Sequence, residues 1–132
     1  MKFYVSGRAS NTHAVRKAVA EIKERGHEIT FEWSDPTLRS AKPFHENREL
    51  AAEYASQAIQ GVVDADVYIM ISTKDGNGVF GELGAALGMN AKTGSPHLYA
   101  IGAKEETMFH FHPAIQWRED VKKVIDELEA LK

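Results

Sequence analysis

Val67-Tyr68-Ile69-Met70-Ile71 is an unbroken apolar run of β-prone residues, the pattern of a strand covered on both faces in a parallel sheet. Lys2 to Ser6 reads as an earlier strand, and a helix follows from about His13 to Arg25. Val15, Ala18, Val19 and Ile22 give that helix an inward stripe, and Gly26 suits the left-handed position that closes it. His27 to Trp33 alternates as a second strand, and Ser34-Asp35-Pro36 marks a turn. Residues 34–45 form a polar connection long enough for a lid, or a plain linker. Glu46 to Val63 is predicted helical, with a stripe of mostly small residues (Leu50, Ala51, Tyr54, Ala55, Ala58, Ile59, Val62) expected to pack tightly, against a symmetry mate included. Pro96 to Ile101 and Ala114 to Trp117 are the remaining strands, and Asp120 to Leu131 is a closing amphipathic helix with Val121, Val124, Ile125 and Leu128 inward. Strands alternating with helices predict one α/β domain over residues 1–132. The expected architecture is a Rossmann-like, flavodoxin-like three-layer sandwich, its five-stranded, largely parallel sheet ordered 2-1-3-4-5.

The chemistry is expected where the third strand ends. Ser72 to Gly88 runs from a polar loop into a tight helix, and Glu82 falls in its first turn. In open parallel sheets, ligands bind at the carboxyl ends of strands, where helix N-termini also point. A first-turn acid also complements the helix dipole, at a few tenths to about 1 kcal/mol, so Glu82 alone decides nothing. Gly81, Gly84 and Gly88 shift the balance, because each glycine costs a helix about 1 kcal/mol relative to alanine. Such a helix is expected to make close approaches, to the sheet or to a substrate. Asp75, Gly76, Asn77 and Gly78 are turn formers that let backbone approach a ligand, and Asp75-Gly76 is equally an ordinary turn dipeptide. At the end of the first strand, Ser6-Gly7-Arg8 can hold a sugar hydroxyl or phosphate, or simply turn the chain. Trp33 either stacks on a nucleobase or packs under the next loop.

Composition narrows the classes. Sixteen basic and 19 acidic residues give a net charge of −3 with no basic stripe, which disfavours a nucleic-acid polymer as partner. The absence of cysteine excludes disulfides, thiolate metal sites and a cysteine nucleophile. No run reaches membrane-spanning length and Met1-Lys2 leads directly into a strand, so no membrane association and a cytoplasmic location are expected. No GxGxxG or Walker A pattern occurs, which disfavours dinucleotide and triphosphate roles. Lys104 to Pro113 is aromatic for a loop, so its apolar groups are expected to be buried. His110 and His112 have the spacing of a two-histidine metal site but lack a third ligand, and no metal is expected.

The segment Gly78–Gly88, GVFGELGAALG, following Val67–Ser72, VYIMIS, resembles the nucleoside 2-deoxyribosyltransferase family, which includes related deoxynucleoside 5'-monophosphate N-glycosidases. Met1–Arg8, MKFYVSGR, and Phe109–Ile115, FHFHPAI, fit the same family in the same order, so the resemblance spans nearly the whole chain. It implies that Glu82 is the nucleophile, with Tyr4, Ser6 and Gly7 at the substrate; Trp33, Gly76 and Gly78 are further candidate substrate contacts by their places at the strand ends. It implies that Thr107, Phe109 and His112 enter a pocket shared with a neighbouring subunit, hence a homodimer or higher homo-oligomer. The family usually has a polar residue six positions before the nucleophile; here that is Gly76, and Asp75 can reach the same place. It also usually has an aspartate where this chain has Ala58, a departure that bears on base specificity, with Gln57 and Gln60 as polar neighbours.

The reaction so implied cleaves the N-glycosidic bond of a 2'-deoxynucleoside through a covalent deoxyribosyl-Glu82 intermediate and transfers the sugar to another nucleobase. Asp75 or a partner-loop residue would protonate the leaving base, and no cofactor is required. The alternatives are hydrolysis of 2'-deoxynucleoside 5'-monophosphates and a noncatalytic nucleotide-binding module.

Overall fold

The structure, a computed structural model, describes residues 1–72, 80–102 and 107–131. Its elements are β1 (Lys2–Ser6), α1 (Thr12–Glu24), β2 (Glu28–Ile29), α2 (Arg48–Asp64), β3 (Val67–Ser72), α3 (Phe80–Thr93), β4 (His97–Gly102), β5 (Ile115–Arg118) and α4 (Val121–Ala130). Short 3-10 turns lie at Ala9–Asn11, Phe44–Glu46 and Met108–Phe111. The five strands are ordered β2-β1-β3-β4-β5 and every neighbouring pair is parallel, as the sequence predicts.

Alternation along the strands sorts side chains into two layers. Phe3, Val5, Val67, Ile69, Ile71 and Tyr99 face α1 and α4, whose inward stripes are those predicted. Tyr4, Tyr68, Met70, Leu98 and Ala100 face α2 and α3, meeting Val62, Leu83, Ala86 and Leu87. All of β3 is buried, which explains its unbroken apolar run. Asp120 caps α4, its side chain accepting from the Lys123 amide at 2.8 Å. Over the first layer, the Tyr99 hydroxyl donates to Glu127 at 2.7 Å, and the Arg118 guanidinium pairs with the same carboxylate at 2.9 Å.

One expectation needs correction. The second strand was expected over residues 27–33 but spans only Glu28–Ile29. Beyond it, the Thr30 amide still donates to Phe3 O at 2.9 Å, but the next acceptor on β1, Val5 O, is taken by the Trp33 indole at 2.7 Å, and the Thr30 hydroxyl ties the segment to Gly61 O of α2 at 2.7 Å. Within one chain the α2 stripe is only partly covered: Gly61 and Val62 are buried, and Ile59 and Val63 are exposed. The aromatic segment folds as a 3-10 turn that buries His110 and, within one chain, leaves Met108, Phe109 and Phe111 at 76%, 52% and 65% exposure. The connection over 34–45 is anchored at Arg39, whose carbonyl accepts from the Tyr54 hydroxyl at 2.6 Å, and at Ser34, whose carbonyl accepts from Arg16 Nε at 2.8 Å.

Candidate active site around Glu82

β1 and β3 pair so that Tyr4 lies opposite Tyr68 and Ser6 opposite Met70. Side chains two apart on a strand share a face, so Tyr4, Ser6 and Tyr68 all rise from the sheet toward α2 and α3. The two phenol rings stack with centroids 6.1 Å apart and planes within 5°. Gly61 lets α2 close over this pair: a Cβ there would lie 3.0 Å from Tyr4 Cδ2 and 3.0 Å from Phe31 Cβ. Glu82, in the first turn of α3, brings its half-buried carboxylate beside the Tyr4 hydroxyl.

The hydroxyls of Tyr4, Ser6 and Tyr68 are buried and complete no hydrogen bond among the described residues, as is that of Ser34. Tyr4 faces Glu82 and Ser6 lies beside Tyr68, each close enough to interact without reaching hydrogen-bond geometry. Burial pushes the Glu82 carboxyl above its usual value, and its own backbone N–H and the Tyr4 hydroxyl pull the other way. Burial, then the charge of Glu82, pushes the Tyr4 phenol up. Burial also raises the Tyr68 phenol, with a further push from Glu82. Both phenols therefore remain neutral donors over the physiological range, and Glu82 is the member of the group that ionises first. A carboxylate in this setting is more basic and less solvated than one in water, which favours attack on carbon and stabilisation of nearby positive charge.

The other predicted residues are distributed around this centre. Gly7 allows the chain after β1 to press on α1, where a Cβ would come within 2.5 Å of Val15 Cγ2, so packing alone accounts for a glycine there. Trp33 is half-buried, packs against both core layers and is pinned to the carboxyl end of β1 through Val5 O. The 3-10 turn lies against the start of α3, His110 packing edge-on to Phe80 at 6.0 Å. Thr107 caps that turn, its hydroxyl accepting from the Phe109 amide at 3.2 Å and lying 3.1 Å from His110 Nδ1. His112 Nδ1 accepts from the Ala114 amide at 3.0 Å. His110 is buried while His112 is half-exposed, so the two histidines do not extend side by side. Asp75, Gly76 and Gly78 lie outside the described residues. A groove of about 520 Å³ lined by Arg39, His45, Arg48, Glu49 and Glu53 contains none of the predicted residues.

Of the two close approaches expected of Gly81, Gly84 and Gly88, to the sheet or to a substrate, the structure excludes the first. All three are exposed, and a Cβ at any of them would meet nothing within 4 Å. Spaced three and four apart, they form one outward face of α3. Sequence reasoning also missed Tyr68, which read only as an apolar strand residue; its match to Tyr4 depends on a pairing register that no local pattern encodes.

No protein-family model matches the chain, and no curated protein matches it. No helix among the described residues is long and apolar enough to cross a membrane. The chain is an α/β protein with a five-stranded parallel sheet, a fold compatible with a nucleotide-binding enzyme of the Rossmann-like kind.

Proposed function

We propose that this chain is a nucleoside 2-deoxyribosyltransferase with Glu82 as its nucleophile. The observation that carries the reading is the half-buried carboxylate at the first turn of α3, set beside buried phenols at the ligand-binding side of a parallel sheet. A Glu82 carboxylate oxygen attacks C1' of a 2'-deoxynucleoside as the C1'–N bond breaks, its electron pair leaving with the base. The base takes up a proton, from Asp75 or a residue of the partner's loop, and departs. A second nucleobase then attacks C1' with a ring nitrogen, the bond to Glu82 breaks, and the incoming base loses a proton. Two displacements give net retention. Tyr4 steadies the carboxylate, Ser6, Gly7 and Trp33 line the crevice, and no metal or cofactor takes part.

The test is chromatography of the purified protein incubated with each deoxynucleoside, with and without a second free base. Exchange of one base for another is expected. Release of free base alone, faster from monophosphates, would replace the transferase by a hydrolase, and tight binding without release would make the chain a binding module.

The same reading assigns a homo-oligomer with shared sites. Its support is the apolar surface one chain leaves uncovered: the glycine face of α3, Ile59 and Val63 of the neighbouring α2, and Met108, Phe109 and Phe111 beside the start of α3. Gly84→Leu separates assembly from folding, because one chain has open space there. Improved helix propensity should stabilise the isolated fold by up to about 1 kcal/mol. Sedimentation equilibrium should show the wild type at twice the chain mass or more, Gly84→Leu at one chain mass, and base exchange lost with assembly. A monomeric wild type that retains full exchange would remove the oligomer from the proposal.

A further inference from the structure

Three buried hydroxyls lie under α2 and α3, on the sheet face that meets Glu82, yet the family resemblance accounts for only two of them. Tyr68 is fully buried, and its hydroxyl completes no hydrogen bond among the described residues. A phenylalanine would fill the same space against Tyr4 without that oxygen. Leaving a buried hydroxyl unpaired costs about 1–3 kcal/mol, so its presence calls for a partner. The nearby candidates are Ser6, itself unpaired, and the carboxylate on the first turn of α3.

We propose that Tyr68 is a positioning residue for Glu82, its phenol O–H donating to the carboxylate in the ionised state, with the Ser6 hydroxyl beside it donating to the phenol oxygen and so fixing it. The inference rests on Glu82 being the nucleophile proposed above. Tyr4 from β1 and Tyr68 from β3 are the titratable groups among the described residues that interact with Glu82. Two donors from adjacent strands hold one carboxylate in a fixed orientation better than one, which keeps an oxygen aimed at C1'. A donor to the ionised form also favours that form, opposing the desolvation that raises the carboxyl. Tyr68 touches neither sugar nor base in this scheme and acts through Glu82.

The experiment is a carboxyl-carbon NMR titration of protein labelled at glutamate Cδ, with Glu82 assigned by the resonance missing from Glu82→Gln. Tyr68→Phe, which keeps the ring, should raise the Glu82 midpoint and move the acid limb of the kcat/KM profile the same way. The kcat for exchange should fall about tenfold, the scale of one hydrogen bond to a charged group, with KM changed less than twofold. An unchanged Glu82 midpoint in a folded Tyr68→Phe overturns the inference. Should that variant fail to fold, the wild type labelled at tyrosine Cζ gives the same answer: the Tyr68 resonance must follow the Glu82 titration, and a flat trace overturns the inference. Both titrations read the carboxylate without turnover, so wild type lacking base exchange would defeat the proposed function while leaving the Tyr68–Glu82 link separately measured.

Discussion

Glu82→Gln is expected to abolish base exchange, lowering kcat by about 10⁴-fold or more, while making the protein more stable at neutral pH. The amide keeps the size of the side chain but has no ionised oxygen to attack C1', and it removes the negative charge opposite the developing oxocarbenium ion. The stability gain has the same origin. Burial raises the Glu82 carboxyl above its ordinary 4.5, so wherever folded and unfolded chains both ionise it the folded state bears the cost of desolvation. As pH falls through the raised folded value, the folded state binds its proton first and the cost declines. Below the unfolded value it is gone. Glu82→Gln should therefore melt a few degrees higher at pH 7, the usual scale of one stabilising substitution, with the difference closing as pH falls below the unfolded carboxyl value. Calorimetry across that range, with chromatographic assay at pH 7, reads both effects. Exchange that survives the substitution would remove Glu82 as nucleophile, and a melting difference independent of pH would remove the desolvated carboxylate as its cause.

Gly102→Ala is expected to cost about 3 kcal/mol of stability and roughly 10 °C in melting temperature, a large effect for one methyl group. Gly102 ends β4, paired with Ser72 at the end of β3, and adopts φ +110°. A Cβ there would come within 2.3 Å of the Ser72 carbonyl oxygen, backbone against backbone in the middle of the sheet. Neither strand can retreat without breaking the ladder that holds the carboxyl ends of β3 and β4 side by side. Gly94→Ala is the comparison, since Gly94 also has positive φ, +81°, but nothing within 4 Å of a Cβ. It should cost only the left-handed strain, about 1–2 kcal/mol. Denaturant melts of the two variants separate the clash from the strain. Equal losses would show that the contact with Ser72 relaxes at no cost.

The architecture was legible in the chain because its determinants are local. Apolar stripes at helical spacing in α1 and α4, the covered run of β3 and the glycine that closes α1 each depend on neighbours in sequence, and strict alternation of strand and helix leaves few topologies open. Glu82 was legible for the same reason, as an acid at a strand-to-helix turn flanked by helix glycines. The short β2 was not, because alternation over residues 27–33 cannot tell a hydrogen-bonded strand from an edge segment in which the Trp33 side chain takes the β1 acceptor at Val5. The direction of the α3 glycines was not legible either. Spacing places Gly81, Gly84 and Gly88 on one face, but only the packing of Leu83, Ala86 and Leu87 on the sheet turns that face outward. The same holds for the phenols: sequence puts Tyr4 and Tyr68 on separate strands, 64 positions apart. Parallel pairing in register stacks their rings, and α3 then brings a carboxylate beside them. Sequence alone thus determined the elements, their order and the acid at the turn, since these follow from short-range periodicity and turn chemistry. Tertiary structure decided which hydroxyls that acid meets and which helix face is left bare, since both depend on contacts between segments far apart in the chain.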